Sequence, residues 1–293
     1  MSRARRRTFT GLLFLSPWLI GLLLFTAYPI LASFYYSLTD FPVLRPPRWV
    51  GLANYAYLLR GDEYFWRFAV FNTLYMFLEL PLSIVLGVGL ALLLNQRLRG
   101  MALFRTIFYL PVLVPTVASA LLWLWLLNPQ YGLANRALER VGLHGIGWLS
   151  DPRWSRPSFI LMDLWGVGGG MVIYLAALQG VPEHLYEAAM LDGANAWHRL
   201  RHVTLPMISP VLFFSVIMGV IGTFQYFTQT FVMTHGGPEL STTFYALYLF
   251  ENAFEYFRMG SACAMAWLLF GVTLIATLLV FRSSARWVYY EEG

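Results

Sequence analysis

The chain has 293 residues, 58% of them hydrophobic and only 12% charged, with 23 Phe, 17 Tyr and 11 Trp. That balance excludes an ordinary soluble domain. The net charge of +5 rests on 20 arginines and no lysine, and those arginines are scattered between apolar runs, which argues against a nucleic-acid-binding patch.

Apolar runs long enough to cross a bilayer core, about 20 residues of helix, fall near 12–36, 70–94, 105–127, 158–180, 208–232 and 262–281. Without water, backbone polar groups in the hydrocarbon must be satisfied within a helix. The expectation is an all-α, multi-pass membrane protein with six transmembrane helices, residues 1–293 forming a single transmembrane domain. The first run follows the basic start "RARRR". It continues through Tyr28-Pro29 to Tyr36 and shows no small-residue cleavage site, so it reads as an uncleaved first helix rather than a secretory signal.

The four segments assigned to one side (1–10, 95–105, 181–207 and 282–293) carry 11 arginines in 60 residues, and the three on the other side carry 9 in 92. Positive charge accumulates on the cytoplasmic side, which predicts cytoplasmic N- and C-termini. The first outer connection contains "FPVLRPPRWVGLANY", extended and turning chain. Trp49, Tyr55, Tyr57 and Trp66 there suit a headgroup boundary or a ligand-stacking surface.

Two ionisable groups lie inside spans, Glu79 just before Pro81 and Asp163 in the fourth run. Charge in hydrocarbon is costly, so each is a candidate functional group. The fourth span also carries Gly166, Gly168, Gly169 and Gly170, which either permit close helix packing or leave room for a ligand. Gln225, Tyr226 and Gln229 give the fifth span a polar, aromatic stripe suited to sugar hydroxyls or to helix–helix hydrogen bonds. Cys263, the single cysteine, forms no intrachain disulfide.

Between the fourth and fifth spans, residues 181–207 read as two short helices around a turn. Pro182 suits a first helical position, Gly193 a left-handed stop and Asn195 the cap of a second helix. The alanines and glycine allow close approach, and Glu187 offers a carboxylate to a basic partner. This is a docking surface or a connecting loop resting on the membrane. The last outer loop turns sharply at Gly236, Gly237 and Pro238. Phe244, Leu247, Phe250 or Glu251, and Phe254 then recur at the spacing of a short interfacial helix.

Enzyme chemistry is poorly supported. His198 and His202 have the i, i+4 spacing of metal ligands, but Arg199 stands where a metalloprotease has Glu and no third ligand is evident. No phosphate-cradling G-x-x-x-x-G-K-[ST] stretch exists, so this chain is not an ATPase.

The spacing Glu187-Ala188-Ala189, three residues, Gly193, nine residues, Val203-x-Leu205-Pro206 resembles the EAA motif of ABC importer permeases, with Val203 where Ile is commonest. "YPI" with "SLTDF", "WVGLANY", "NTLYMF", "FRTIFYLP" and "THGGP" resemble the sugar-uptake branch of maltose- and glycerol-phosphate-type permeases, and together cover nearly the whole chain. The resemblance implies a type I ABC importer permease fold and a multi-pass subunit of the cell inner membrane that is not itself catalytic. It would move a sugar or related polyol by alternating access.

The resemblance further implies that Glu187, Ala188, Ala189, Gly193, Val203, Leu205 and Pro206 belong to a coupling segment seated on an ATPase subunit. Sugar contacts would fall at Trp165, Gly166 and Gly169 in the fourth span and at Gly219, Gly222, Thr223 and Tyr226 in the fifth, Gly166 being the clearest match. Implied partners are a second homologous permease in a heterodimer, two ATPase subunits, an extracytoplasmic solute-binding protein, the carbohydrate and membrane lipid. No cofactor or metal is expected on this chain, ATP and Mg lying on the ATPases. The rival readings are an ion-coupled secondary transporter and a non-transporting membrane scaffold.

Overall fold

The computed structural model describes residues 3–96 and 98–289, with side chains from residue 11 onward. The arginines of the expected cytoplasmic start and the last four residues lie outside the described side chains. Among the described residues four helices are long and apolar enough to cross a membrane: Gly11–Ser37, Phe65–Leu94, Ala196–Met233 and Met259–Ser284. Two bent pairs, Met101–Leu113 with Thr116–Leu126 and Pro152–Trp165 with Gly168–Gln179, raise the number to six if each pair is one span.

The third apolar run is therefore not one straight helix. It turns by 98° at Val114 and Pro115. Pro115 has no N–H to donate and its ring disfavours helix at the residue before it; Val114 is extended, with ψ 124°. The fourth run bends by 45° at Gly166–Val167. The fifth is interrupted as well, since helix Ser209–Phe224 stops and Thr228–Met233 resumes after three non-helical or turn residues.

Contacts divide the chain into two units, one built from the chain up to Asp62 with Leu249–Phe270, the other from Glu63–Tyr248 with the chain from Gly271. In the first unit, Gly11–Ser37 widens into a π-turn at Leu23–Ala27, directly before the Tyr28-Pro29 pair whose proline cannot donate to the preceding turn. None of its apolar window is buried. Its end is tied down by polar groups. Asn54 Nδ2 donates to the Ser37 and Thr39 carbonyls, each at 2.9 Å, and the Tyr55 hydroxyl donates to Ser37 Oγ at 2.8 Å. A short antiparallel ladder pairs Thr39 with Trp49 and Asp40 with Arg48. Trp267 closes the unit against the first span, with its Nε1 donating to Ser33 Oγ at 3.1 Å and its ring edge-on to Phe34. Gly260 is required for close approach, because a Cβ there would meet the Thr39 carbonyl oxygen at 2.0 Å.

The second unit holds two apolar cores. One gathers Met76, Trp123, Phe159, Met162, Met233 and Phe244; the other gathers Ala91, Met171, Leu175, Leu178, Val181 and Ile208. The second core is where the fourth span runs into the coupling segment. The first is stitched to the last outer loop by buried polar side chains: Asn72 Nδ2 donates to the carbonyls of Leu240 and Thr243 at 2.8 and 3.1 Å, and Thr73 Oγ1 accepts from the Tyr245 N–H at 2.8 Å. These bonds explain why the expected interfacial helix is not simply interfacial. Helix Tyr245–Phe250 forms and continues as a π-turn through Glu255, but Phe244 and Leu247 are completely buried and only Phe254 is well exposed.

Candidate coupling segment and translocation path

The first helix of the segment, Glu183–Leu191, begins one residue later than the sequence suggests: Pro182 is its N-cap, with ψ 131°. Its end is a Schellman motif. Gly193 takes φ +79°, its N–H donates to Met190 O at 3.0 Å, and the Ala194 N–H donates to Ala189 O at 2.9 Å. Asn195 then caps the second helix, Oδ1 accepting from the His198 N–H at 2.9 Å. A π-turn at Leu200–Thr204 leads into the fifth span.

Tyr186 and Thr204 fasten the two arms, their hydroxyls 3.1 Å apart. Tyr186, Val203 and Leu205 pack on the core that holds Leu178 and Ile208. The turn is thereby anchored to the ends of the fourth and fifth spans. Facing away from this anchor are Glu187, Ala188 and Gly193, all exposed, and no heavy atom lies within 4 Å of a Cβ built on Gly193. Among the described residues Glu187 forms no ion pair. Beside them stand Leu191, 89% exposed, with Met190 and Trp197 also well exposed. In an oily chain an apolar residue is no signal by itself; only exposure beside polar, capped chain marks these three.

The histidine pair serves this local structure. His198 Nδ1 lies 2.9 Å from Asn195 Oδ1, His202 Nδ1 lies 3.1 Å from the His198 carbonyl oxygen, and the rings stack at 5.9 Å. Among the described residues no group of three potential metal ligands occurs.

Along the proposed path, the Tyr226 hydroxyl donates to Asp163 Oδ1 at 3.2 Å. Tyr226 sits in the interruption of the fifth span and packs edge-on against Phe244 and Phe159. Trp165 lies edge-on to Trp123 at 5.9 Å. The glycines divide by surroundings. A Cβ on Gly219 would meet Leu80 Cδ1 at 2.1 Å and one on Gly168 the Phe108 carbonyl oxygen at 1.9 Å, so both serve close packing. Gly169 faces Val112 at ordinary contact distance, Gly166 meets only its own chain at Asp163 O, and Gly222 has open space. Thr223 is buried and donates to Gly219 O at 2.9 Å, Gln225 is exposed, and Gln229 and Glu79 are half-buried. The structure thus brings Asp163 and Tyr226 into contact. It gives Gly219 a packing partner instead of open space.

Interrupted spans that end in a capped helical turn anchored to two of them have the form that the resemblance to importer permeases implies. Residues 83–289, which include the whole coupling segment, match the family described as "Binding-protein-dependent transport system inner membrane component". The chain belongs to that family. It is 37% identical to the "Probable ABC transporter permease protein YesP" of Bacillus subtilis over 98% of this chain and 94% of that protein. It is 34% identical to the trehalose/maltose transport system permease protein MalF of Thermococcus litoralis over 93% of this chain and 92% of that one. In three dimensions it is similar to a chain of a bacterial alginate ABC transporter crystallised with an alginate pentasaccharide-bound periplasmic protein. There the TM-score is 0.84, the identity 25%, and 96% of each chain is covered. The chain is a permease subunit of an ABC importer, an inner membrane component without catalytic chemistry of its own.

Proposed function

We propose that this permease carries a carbohydrate inward, as one half of a heterodimer with a homologous second permease. Two ATPase subunits holding ATP and Mg and an extracytoplasmic solute-binding protein complete the transporter. The carbohydrate assignment is supported by relatives named for trehalose/maltose and for alginate transport. The coupling assignment is supported by one observation: a turn capped at Gly193 and Asn195, fastened by Tyr186 and Thr204, leaves Glu187, Ala188 and Leu191 exposed. Closure of the paired ATPases would push this turn and rock the fourth and fifth spans between inward-open and outward-open states. The candidate sugar contacts are Trp165, Gly166, Gly169, Gly222, Thr223, Gln225, Tyr226 and Gln229, around the breaks in those two spans.

Uptake by membrane vesicles tests the reading. Accumulation of labelled oligosaccharide should require both ATP and added binding protein, and Glu187→Lys should abolish ATPase co-purification and transport. Uptake that persists after ATP removal, or that survives Glu187→Lys undiminished, would overturn it.

A further inference from the structure

The first span ends at Ser37 and the last begins at Met259. Within the first unit these two ends meet, the Gly260 N–H donating to the Phe41 carbonyl at 3.3 Å. Span ends mark the level of a membrane surface, so what lies beside them stands among lipid headgroups. Beside them is a cavity of about 310 Å³, built entirely from the first unit and lined by Asp40, Asn54, Arg258 and Ser261 among others. Small-molecule sites begin at about 300 Å³.

The cavity has one charge of each sign, and neither is neutralised. Among the described residues Asp40 and Arg258 form no ion pair, with each other or with any other group. Arg48 stands opposite Asp40 on the short ladder without closing on it, and Glu251 and Glu255, which bear on Tyr256, do not close on Arg258. Asn54 commits Nδ2 to the Ser37 and Thr39 carbonyls, which leaves Oδ1, an acceptor. Acceptors therefore gather at the end of the first span, and donors, the Arg258 guanidinium and the Ser261 hydroxyl, at the start of the last.

The backbone holds Arg258 in place. Phe257 takes φ +53°, the left-handed region that bulky residues seldom adopt, and the Arg258 N–H donates to Asn252 O at 2.7 Å. Phe254, Tyr256 and Phe257 remain well exposed beside it, as aromatic rings do at headgroup depth. A ligand that satisfies both ends must itself carry both signs: an anion for the guanidinium fork, for which phosphate is well shaped, and a cation with N–H groups for the acceptors.

We propose that this cavity binds the headgroup of an ethanolamine phospholipid, with its phosphate on Arg258 and Ser261 and its ammonium on Asp40 and Asn54 Oδ1. The bound lipid bridges the end of the first span and the start of the last, whatever solute the permease carries.

Native mass spectrometry of the full chain in detergent, with equal concentrations of phosphatidylethanolamine, phosphatidylcholine or phosphatidylglycerol added, reads the site. Phosphatidylcholine keeps both charges but has no N–H on its cation, and phosphatidylglycerol keeps only the phosphate. The ethanolamine lipid should bind about fivefold more tightly than either. Asp40→Asn should lower its binding to the choline-lipid level and leave the choline lipid unchanged, Asp40→Glu should keep the preference, and Arg258→Gln should weaken all three lipids. Both side chains are exposed, so thermal unfolding should be retained in each variant. Equal binding of the three lipids, tightest binding of phosphatidylglycerol, or an equal loss of ethanolamine and choline lipids in Asp40→Asn would overturn the assignment. Displacement of the lipid by equimolar glycerophosphoethanolamine would do the same, giving the cavity to a soluble solute.

Discussion

The hydroxyl of Tyr226 donates to the Asp163 carboxylate at 3.2 Å, linking the interruption of the fifth span to the last turn before the bend of the fourth. Two spans that are each broken, and that both continue into the coupling segment, are thereby joined at their breaks by one bond.

Tyr226→Phe removes the donor and leaves a half-buried carboxylate oxygen without it. Hydrogen bonds between membrane helices are worth about 0.6 kcal/mol on average and up to about 1.7. A loss of about 1–2 kcal/mol is expected here, together with a severalfold fall in transport rate. Unfolding in micelles and vesicle uptake measure the two effects. An unchanged uptake rate would deny the bond a part in the motion.

At the docking turn, Gly193→Val forces a β-branched side chain into φ +79°. The left-handed conformation costs such residues about 1–2 kcal/mol, and the Schellman bonds at Met190 and Ala189 should fray. ATPase subunits should fail to co-purify although the permease still reaches the membrane. Gly193→Asn, which tolerates that backbone, should restore assembly in part.

Leu191→Asp tests the exposed apolar anchor separately. Since Leu191 is 89% exposed, its replacement should leave the unfolding temperature of the isolated permease within a degree or two. Association with the ATPase subunits should weaken at least tenfold, as burial of a leucine in an interface is worth about 1.5–3 kcal/mol. Normal affinity, measured by pull-down titration, would leave the docking face to Glu187 and its alanines.

Glu251, in the π-turn of the last outer loop, supplies a pH dependence. Burial, with Glu255 as the smaller contributor, pushes its carboxyl up to about 7 from the usual 4.5. The folded state therefore holds its proton more tightly than the unfolded chain. Stability should be greatest below pH 4.5, decline as the pH rises through the window to about 7, and level off above it. Glu251→Gln should flatten that decline in thermal unfolding scans. An identical slope in the variant would show that other groups set it.

The match between sequence and structure differs from place to place for physical reasons. The coupling turn was legible because its devices are local: Gly193 for a left-handed stop and Asn195 for a cap act within four residues of themselves. The bend at Pro115 was also written locally, yet the uninterrupted hydropathy of 105–127 hides it, because apolarity is indifferent to direction. Gly168 reads equally as open space or tight packing until the Phe108 carbonyl is found against it. Phe244 and Leu247 read as an interfacial stripe until Asn72 and Thr73, some 170 residues earlier, are found pinning that loop inward.

Hydropathy and arginine distribution were enough, by themselves, to determine a six-run helical membrane protein, and the Glu187-to-Pro206 spacing carried its resemblance to importer permeases. Each depends on transfer energy or on short-range backbone chemistry, both carried by residue identity. The tertiary structure alone decided that Asp163 meets Tyr226 and that Leu191 faces outward while Tyr186 faces in. Those are relationships between distant stretches of chain, set by how helices pack, and no periodicity along the sequence encodes them.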